Sequence, residues 1–147
     1  MEIEKKYLVK KLPEHLEQYS YYKIEQGYLC TEPVVRIRRQ DDTYILTYKS
    51  KGLMAREEYN LPLTKEAYFH LKPKADGIII EKTRYKIPFQ KYTIELDVFE
   101  KDLAPLVLAE VEFESVAEAE RFVPPEWFGE DVTYSSEYHN STLSKGK

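Results

Sequence analysis

Residues 2–9 read Glu2-Ile3-Glu4-Lys5-Lys6-Tyr7-Leu8-Val9, and charged and apolar side chains alternate along them. Successive side chains of a β-strand point to opposite faces of the strand. Glu2, Glu4 and Lys6 therefore share one face, and Ile3, Tyr7 and Val9 share the other. The pattern predicts a strand with one charged and one apolar face.

The same two-faced alternation recurs in seven further segments, which cover residues 22–31, 34–40, 43–49, 55–62, 78–87, 93–99 and 106–114. Their polar faces are charged where serine, threonine or glutamine would usually be mixed in. Eight antiparallel strands suffice to close a barrel. Short helices are predicted over residues 13–19, over 65–71 behind the N-cap Thr64, and from the capping-box residue Ser115 to about Phe122. We expect an α+β fold, predominantly β: an eight-stranded antiparallel closed β-barrel, or tunnel, with a few short flanking helices.

Composition limits the classes of function without selecting one. The chain has 147 residues, 33% charged residues and a formal net charge of -4. We expect a single domain over residues 1–147 that ends in a polar, partly mobile tail from about residue 134. The small net charge favours neither a nucleic-acid nor a membrane partner. Cys30 is the only cysteine, and the sequence contains no apolar signal or spanning run, so we expect a cytoplasmic protein.

Acidic and basic side chains segregate by strand. Carboxylates cluster on the first and last strands, and bases dominate residues 34–49 and 78–86. On any one strand, a charged face is explained by solvent on that side of the sheet. If the apolar faces pack outward instead, charges of both signs line the lumen, and their burial requires paired or ligand-bound arrangements. A polyanion together with its metal ion would satisfy both sets.

Two pairs of glutamates are candidate metal ligands: Glu2 with Glu4, and Glu110 with Glu112. Within each pair the residues are two apart, so both carboxylates project from one face of one strand. Oxygen ligands without histidine or cysteine favour Mg²⁺ or Mn²⁺ over zinc. Such spacing is common on strands and does not identify a metal site by itself.

Candidate phosphate-binding side chains are basic and lie on the inferred inner faces. Arginine can hold phosphate oxygens with a two-pronged fork, whereas lysine offers one compact charge. Each base is otherwise explained as half of a surface ion pair. The arginines are Arg36, Arg38, Arg56 and Arg84, and the lysines are Lys6, Lys49 and Lys82. Three further acids, Glu58, Glu95 and Asp97, lie on the same inferred inner faces.

Other routes to catalysis have no support in the sequence. No serine or cysteine lies in a nucleophile context, and no glycine-rich phosphate loop is present. His15, His70 and His139 are dispersed over helical or tail segments, so we interpret them as structural or exposed. Trp127 and Phe128 are predicted to form a local packing cluster.

Seven ordered blocks make the chain resemble the CYTH, or triphosphate tunnel metalloenzyme, family over residues 2 to about 130. They are Glu2-x-Glu4-x-Lys6, Glu25-Gln26-Gly27-Tyr28-Leu29, Val35-Arg36-Ile37-Arg38, Thr47-x-Lys49, Glu81-Lys82-Thr83-Arg84-Tyr85, Glu95-x-Asp97-Val98-Phe99 and Glu110-Val111-Glu112-Phe113. The resemblance implies an eight-stranded tunnel in which Glu2, Glu4 and carboxylates of the last strand bind metal, while inward arginines and lysines hold a triphosphate. The family includes RNA triphosphatases, thiamine triphosphatases, class IV adenylate cyclases and bacterial tripolyphosphatases. With its Pro-Pro-x-Trp-Phe-Gly segment at residues 124–129, this chain is most similar to the short tripolyphosphatases.

The resemblance implies a hydrolase that depends on Mg²⁺ or Mn²⁺ and cleaves the terminal phosphate of inorganic triphosphate (tripolyphosphate). Nucleoside triphosphates such as ATP are the further candidate substrates. A metal-activated water attacks in line while the cation and arginines neutralise the transferring group. Glu58, Glu95 or Asp97 either orients that water or pairs with bases of the lumen, and we favour pairing for most of them. The residues expected to act in catalysis are Lys6, Arg38, Lys49, Arg56, Glu58, Lys82 and Arg84. Alternatives within the family are an adenylate cyclase and a thiamine triphosphatase, and the alternative of another class is a polyphosphate-binding module without turnover. The expected partner is a small-molecule triphosphate, and the oligomeric state is left open.

Overall fold

The computed structural model describes residues 1–146 and is built mainly from antiparallel β-strands. The strands of this part of the chain are β1 Glu2–Val9, β2 Ser20–Thr31, β3 Val34–Gln40, β4 Thr43–Lys49, β5 Ala55–Arg56, β6 Glu58–Pro62, β7 Asp76–Phe89, β8 Tyr92–Phe99, β9 Val107–Glu112 and β10 Phe128–Asp131. The α-helices are α1 Lys65–Leu71, α2 Val116–Arg121 and α3 Asn140–Leu143. None of the helices in the described range is long and apolar enough to cross a membrane.

The strands pair in a ring, which confirms the predicted barrel. The order is β1, β9, β8, β7, β2, β3, β4 and β6, and the ring returns to β1 through the two residues of β5. At this seam Glu2 pairs with Arg56, and Ile3 pairs with Ala55. β5 and β6 together form the strand predicted over residues 55–62. The alternation does not predict β10, which is four residues long and pairs with β1 beside the seam.

Two of the predicted helices form and one does not. α1 begins behind Thr64, whose hydroxyl accepts a hydrogen bond from the N–H of the third helical residue (3.0 Å). α2 begins behind Ser115 with the equivalent bond (3.1 Å). The helix predicted over residues 13–19 is wrong, because a 3₁₀ turn at Leu16–Gln18 replaces it. His15 adopts a φ of 55°, and a left-handed residue interrupts a right-handed helix.

The apolar faces of the strands pack away from the lumen, as predicted. Ile3 and Tyr7 of β1 lie in the larger buried cluster, which also contains side chains of β7, β8, β9 and β10. Phe122 and Trp127 pack against this cluster. The rings of Trp127 and Phe128 are 4.7 Å apart, which confirms the predicted local packing cluster. The charged faces consequently point into the barrel.

Part of the barrel interior is apolar. Ile80 of β7, Phe99 of β8 and Leu108 of β9 lie on the same strand faces as the charged side chains. They form a second buried cluster with Tyr28 and Val34. The lumen therefore changes from charged to apolar along these strands.

The C-terminal segment, residues 136–146, is packed against the barrel. Tyr138 and Leu143 lie against the second apolar cluster. The Ser144 carbonyl accepts a hydrogen bond from Ile78 N (2.6 Å). Gly77 permits this approach, because it adopts a φ of 69° and a Cβ there would overlap the Ser144 carbonyl oxygen. The tail predicted from about residue 134 thus has defined contacts, and Lys147 lies outside the described residues.

β6 has one open edge. It pairs with β4, and within residues 1–146 no strand pairs with its other side. Leu63 N donates to Tyr44 O, so the alternation of the antiparallel ladder turns the backbone nitrogen of Pro62 toward the open edge. Proline has no N–H, and this edge therefore lacks a donor that another residue would place there.

Candidate active site

A cavity of about 150 Å³ lies within the ring of strands, and charged side chains dominate its wall. Of the fourteen side chains predicted for the site, twelve line it. The other two, Lys82 and Asp97, are fully buried and do not line it. The twelve are Glu2, Glu4, Lys6, Arg36, Arg38, Lys49, Arg56, Glu58, Arg84, Glu95, Glu110 and Glu112.

Strand register sets these side chains next to one another. Residues directly opposite each other in an antiparallel pair carry their side chains on the same face. Across β1 and β9, Glu4 lies opposite Glu112, and Lys6 lies opposite Glu110. The same ladder thus creates a like-charge contact and an opposite-charge contact side by side.

Glu2 holds two bases of the wall. Lys49 Nζ lies 2.9 Å from Glu2 Oε2, and Arg56 Nε lies 3.4 Å from Glu2 Oε1. Lys49 also lies 3.6 Å from Glu58 Oε2. Burial opposes the ionisation of Glu2, but Lys49 and Arg56 outweigh burial and lower its pKa. Glu2 is therefore ionised and already paired.

Behind the wall, Asp97 joins two bases. Arg84 Nε and Nη2 lie 2.7 and 2.9 Å from the two oxygens of Asp97, and Lys82 Nζ lies 2.7 Å from Oδ2. Burial lowers the pKa of Lys82 to about 7, although Asp97 favours the charged form. Lys82 thus does not reach the surface predicted to bind phosphate, because alternation fixes the face of a strand and not the depth of a residue. Arg84 extends from this cluster to the cavity, where Nη1 lies 3.5 Å from Glu95 Oε1.

Arg36 and Arg38 of β3 have no carboxylate within ion-pair distance among residues 1–146. Arg38 Nε donates to Gln26 Oε1 (2.7 Å), and Arg36 Nη2 donates to Thr47 Oγ1 (3.2 Å). Burial, followed by the charges of Arg36 and Arg84, lowers the pKa of Arg38 to about 9. Arg36 Nε is buried without a hydrogen-bond partner. These two guanidinium groups are thus available to an anion.

The carboxylates of β1 and β9 crowd one another. Burial and the charges of Glu110 and Glu2 raise the pKa of Glu4 to about 8. Burial and the charges of Glu2 and Glu58 raise the pKa of Glu112. Glu110 Oε1 has no hydrogen bond, but it lies 3.8 Å from both Lys6 Nζ and Arg84 Nη2. Burial opposes the ionisation of Glu110, but these two bases outweigh burial and lower its pKa. The carboxylates that the bases of the wall leave incompletely neutralised are thus Glu4 and Glu112.

The sequence profile of the CYTH domain matches residues 1–146. The chain belongs to the CYTH domain family. An inorganic triphosphatase of Nitrosomonas europaea is 40% identical to this CYTH protein over 148 aligned residues, which cover 97% of this chain and 96% of the relative. An inorganic triphosphatase of Acetivibrio thermocellus is 37% identical, over 98% of this chain and 93% of that protein.

Solved structures share the fold of this CYTH protein. The crystal structure of an inorganic triphosphatase matches with a TM-score of 0.75 and 37% identity, over 100% of this chain and 96% of that one. A Hippeastrum adenylyl cyclase candidate with a dominant triphosphatase activity matches with a TM-score of 0.64, over 82% of this chain and 83% of that one. Its identity is 15%, so this second likeness shows the fold alone.

Membership of the CYTH family implies dependence on a divalent cation, and the chemistry of the acidic side chains fits one. The donors are carboxylate oxygens, which hard divalent cations prefer. A cation beside Glu4 and Glu112 would offset the burial and the like-charge repulsion that together raise both pKa values. Within residues 1–146, however, no three carboxylate, imidazole or thiol groups already converge in a metal-binding arrangement. Lys49 and Arg56 already contact the two oxygens of Glu2, so a metal ion there would share this carboxylate with the two bases or displace them.

Sequence reasoning missed residues that line or support the cavity. Gln26 and Tyr28 lie on the inner face of β2, where there is no charge to mark that face. The available signal was their place in the alternation, since Gln26 lies directly opposite Arg38. His139, Asn140 and Ser141 also line the cavity, whereas the sequence indicates only a structural or exposed role for His139. No periodic pattern places that segment, because it follows the last strand.

Proposed function

We propose that this CYTH protein is a divalent-metal-dependent triphosphatase that hydrolyses inorganic triphosphate to diphosphate and phosphate. One observation carries the proposal: Arg36 and Arg38, without acidic partners in the described chain, share a cavity with the crowded carboxylates Glu4 and Glu112. Available cations on one strand and crowded acids on others suit a polyanion that binds together with a metal. The two inorganic triphosphatases at 40% and 37% identity support the same reaction.

The metal that we propose is Mg²⁺ or Mn²⁺, with ligands among Glu2, Glu4, Glu110 and Glu112. All four carboxylates line the cavity, and an oxygen-only donor set favours these ions over zinc. When bound, the cation supplies positive charge that neutralises phosphate oxygens and makes water more acidic. The four acids thus serve the reaction through the ion that they hold.

The basic side chains bind the triphosphate and neutralise the negative charge that shifts toward the leaving diphosphate during the reaction. Arg36 and Arg38 hold oxygens of the phosphate chain through two-pronged contacts. Lys6, Lys49, Arg56 and Arg84 also line the cavity, and we assign them to the same anion. The oxygen of a water forms a bond to the terminal phosphorus while the bond to the diphosphate oxygen breaks. No covalent enzyme intermediate is required.

The remaining acids pair with bases in this mechanism. Glu58 lies 3.6 Å from Lys49, and Glu95 lies 3.5 Å from both Arg84 and Lys86. These contacts support a pairing role for both glutamates over the orientation of water. Asp97, with Lys82, anchors Arg84 from behind the wall.

A substrate panel tests the proposal. Tripolyphosphate, pyrophosphate, ATP and thiamine triphosphate are each assayed for phosphate release with Mg²⁺, with Mn²⁺ and with EDTA. We expect release from tripolyphosphate with either metal, none in EDTA, and none from pyrophosphate, because bases on several strands imply several phosphate subsites. Undiminished turnover in EDTA contradicts the metal dependence. A cyclic nucleotide product from ATP would indicate a cyclase, and binding of tripolyphosphate without turnover would indicate a binding module.

A further inference from the structure

Two lysines of the cavity region are hydrogen-bonded by the C-terminal segment, residues 136–146. Lys6 Nζ donates to the Tyr138 carbonyl oxygen (3.0 Å). Lys82 Nζ donates to Asn140 Oδ1 (3.3 Å). Lys6 lies on the first strand of the ring and Lys82 on β7, so one short segment contacts bases from two strands.

The contact with Asn140 is specific in its chemistry. A lysine ammonium offers only donors, so the side chain that meets it must present its oxygen. Lys82 is fully buried, and its ion-pair partner is Asp97, at 2.7 Å. Asp97 in turn fixes Arg84 through two hydrogen bonds. Asn140 thus stands at the end of a continuous chain of contacts that reaches a cavity arginine.

The segment is held in place at points remote from the lysines. Ser144 is 1% exposed, and its carbonyl accepts the Ile78 N–H. Its hydroxyl donates to the Ser141 carbonyl (2.7 Å), which ties it back to α3. Leu143 packs on the inner apolar cluster. Tyr138 packs on the same cluster, so the position of Asn140 beside Lys82 is set by contacts that precede and follow it in the chain.

We propose that Asn140 is a positioning residue of the active site: it holds Lys82 and, through Lys82 and Asp97, positions Arg84 for the triphosphate. This inference rests on the proposed function. Asn140 itself lines the cavity, but its action on Lys82 requires no contact with substrate.

The main test is Asn140→Ala, with Glu137→Ala as the matched control. Glu137 is an exposed residue of the same segment and does not line the cavity. We expect kcat/KM on tripolyphosphate with Mg²⁺ to fall about tenfold in Asn140→Ala, because one hydrogen bond to a charged group is lost. Glu137→Ala should keep the wild-type value. Thermal melts check that both variants are fully folded at the assay temperature.

A pH profile separates positioning from a merely structural role. Loss of the Asn140 oxygen removes a contact that favours the charged ammonium, so the alkaline limb of the kcat/KM profile should move to lower pH in Asn140→Ala. A structural role would lower the profile without moving it. The other charged groups that act on Lys82 are Asp97, Arg84, Glu110 and Arg38.

A second variant displaces the C-terminal segment through a contact remote from Asn140. Gly77→Ala introduces a Cβ that overlaps the Ser144 carbonyl. It should reproduce the loss seen in Asn140→Ala, and the Ile78 amide should exchange faster with solvent by NMR. If both variants keep wild-type kcat/KM and pH profile, the proposal is overturned.

Calorimetry keeps this proposal distinct from the proposed function. If the wild-type protein releases no phosphate from tripolyphosphate, the proposed function fails. Binding of tripolyphosphate with Mg²⁺ to the wild-type protein and to Asn140→Ala then decides the role of Asn140. Weaker binding to the variant supports positioning, and equal binding overturns it.

Discussion

Lys49 Nζ lies 2.9 Å from Glu2 Oε2, so a base assigned to the triphosphate and an acid assigned to the metal hold each other in place. Both residues are buried, at 6% exposure each. A buried charge that loses its partner is strongly unfavourable. A metal on Glu2 would weaken the hold of this carboxylate on Lys49, and a phosphate on Lys49 would draw the lysine from Glu2. We therefore expect the binding of either ligand to favour the binding of the other.

Lys49→Ala should lower kcat/KM on tripolyphosphate by about a hundredfold, since a charge-assisted contact that strengthens in the transition state is worth a few kcal/mol. Steady-state phosphate release measures the change. Lys51→Ala is the matched control, because Lys51 is an exposed lysine two residues further along and pairs with Glu32 on the surface. Wild-type kinetics in Lys49→Ala would mean that this lysine serves Glu2 alone.

Arg38→Lys should rescue Arg38→Ala poorly. The Arg38 guanidinium donates to Gln26 and still has its other N–H groups for an anion, a geometry that an ammonium cannot copy. We expect a loss of about a hundredfold in the alanine variant, with at most a tenfold recovery in the lysine variant, by steady-state kinetics with circular dichroism as a check on folding. Arg39→Ala is the control, since Arg39 belongs to the outer face of the same strand. Equal activity in Arg38→Ala and Arg39→Ala would overturn the inward assignment.

Glu4 should make the stability of the metal-free protein depend on pH. Its pKa is about 8 in the folded chain, against 4.5 for an unperturbed glutamate, so between these values the folded state binds more protons than the unfolded state. Stability from this group is complete below about pH 4.5 and is lost as pH rises through about 8. Melting curves across this range should show a loss in the wild-type protein that is smaller in Glu4→Gln. Saturating Mg²⁺ should flatten the wild-type curve, because the cation replaces the proton. Identical pH dependence in the two proteins would contradict the crowding described for the site.

Asp97→Ala should lower the free energy of unfolding by about 3–5 kcal/mol, because it leaves two buried cations without their shared partner. Urea denaturation measures the loss. Asp102→Ala, at an exposed aspartate, should change stability by less than about 0.5 kcal/mol. A small effect in Asp97→Ala would mean that water reaches Lys82 and Arg84 when the carboxylate is removed.

Local pattern predicts most of the ring of strands and most of the cavity wall. A strand with one apolar and one charged face must turn the apolar face to the core, and this fixed the inward direction of Glu4, Arg38 and Lys49. Depth within the barrel is a different quantity. Lys82 and Arg84 share a face, yet only Arg84 lines the cavity, because position along the lumen depends on strand tilt and register in three dimensions.

The remaining failures have three different physical causes. Asn140 reaches the cavity region because Leu143 and Ser144 dock on residues far away in the chain, and no local periodicity encodes that contact. Gln26 was missed because the inner face of β2 is uncharged, and the sequence analysis recognised inner faces by their charge. The segment over residues 13–19 has a composition compatible with a helix, but the left-handed backbone of His15 interrupts the right-handed helical path.

The open edge of β6 has a consequence for behaviour at high concentration. An unpaired strand edge is a template on which a second chain can extend the sheet, and such growth leads to aggregation. Pro62 removes one of the few donors that this edge could offer to an incoming strand. The protein can thus leave its ring of strands incompletely closed beside β6 and still discourage self-association there.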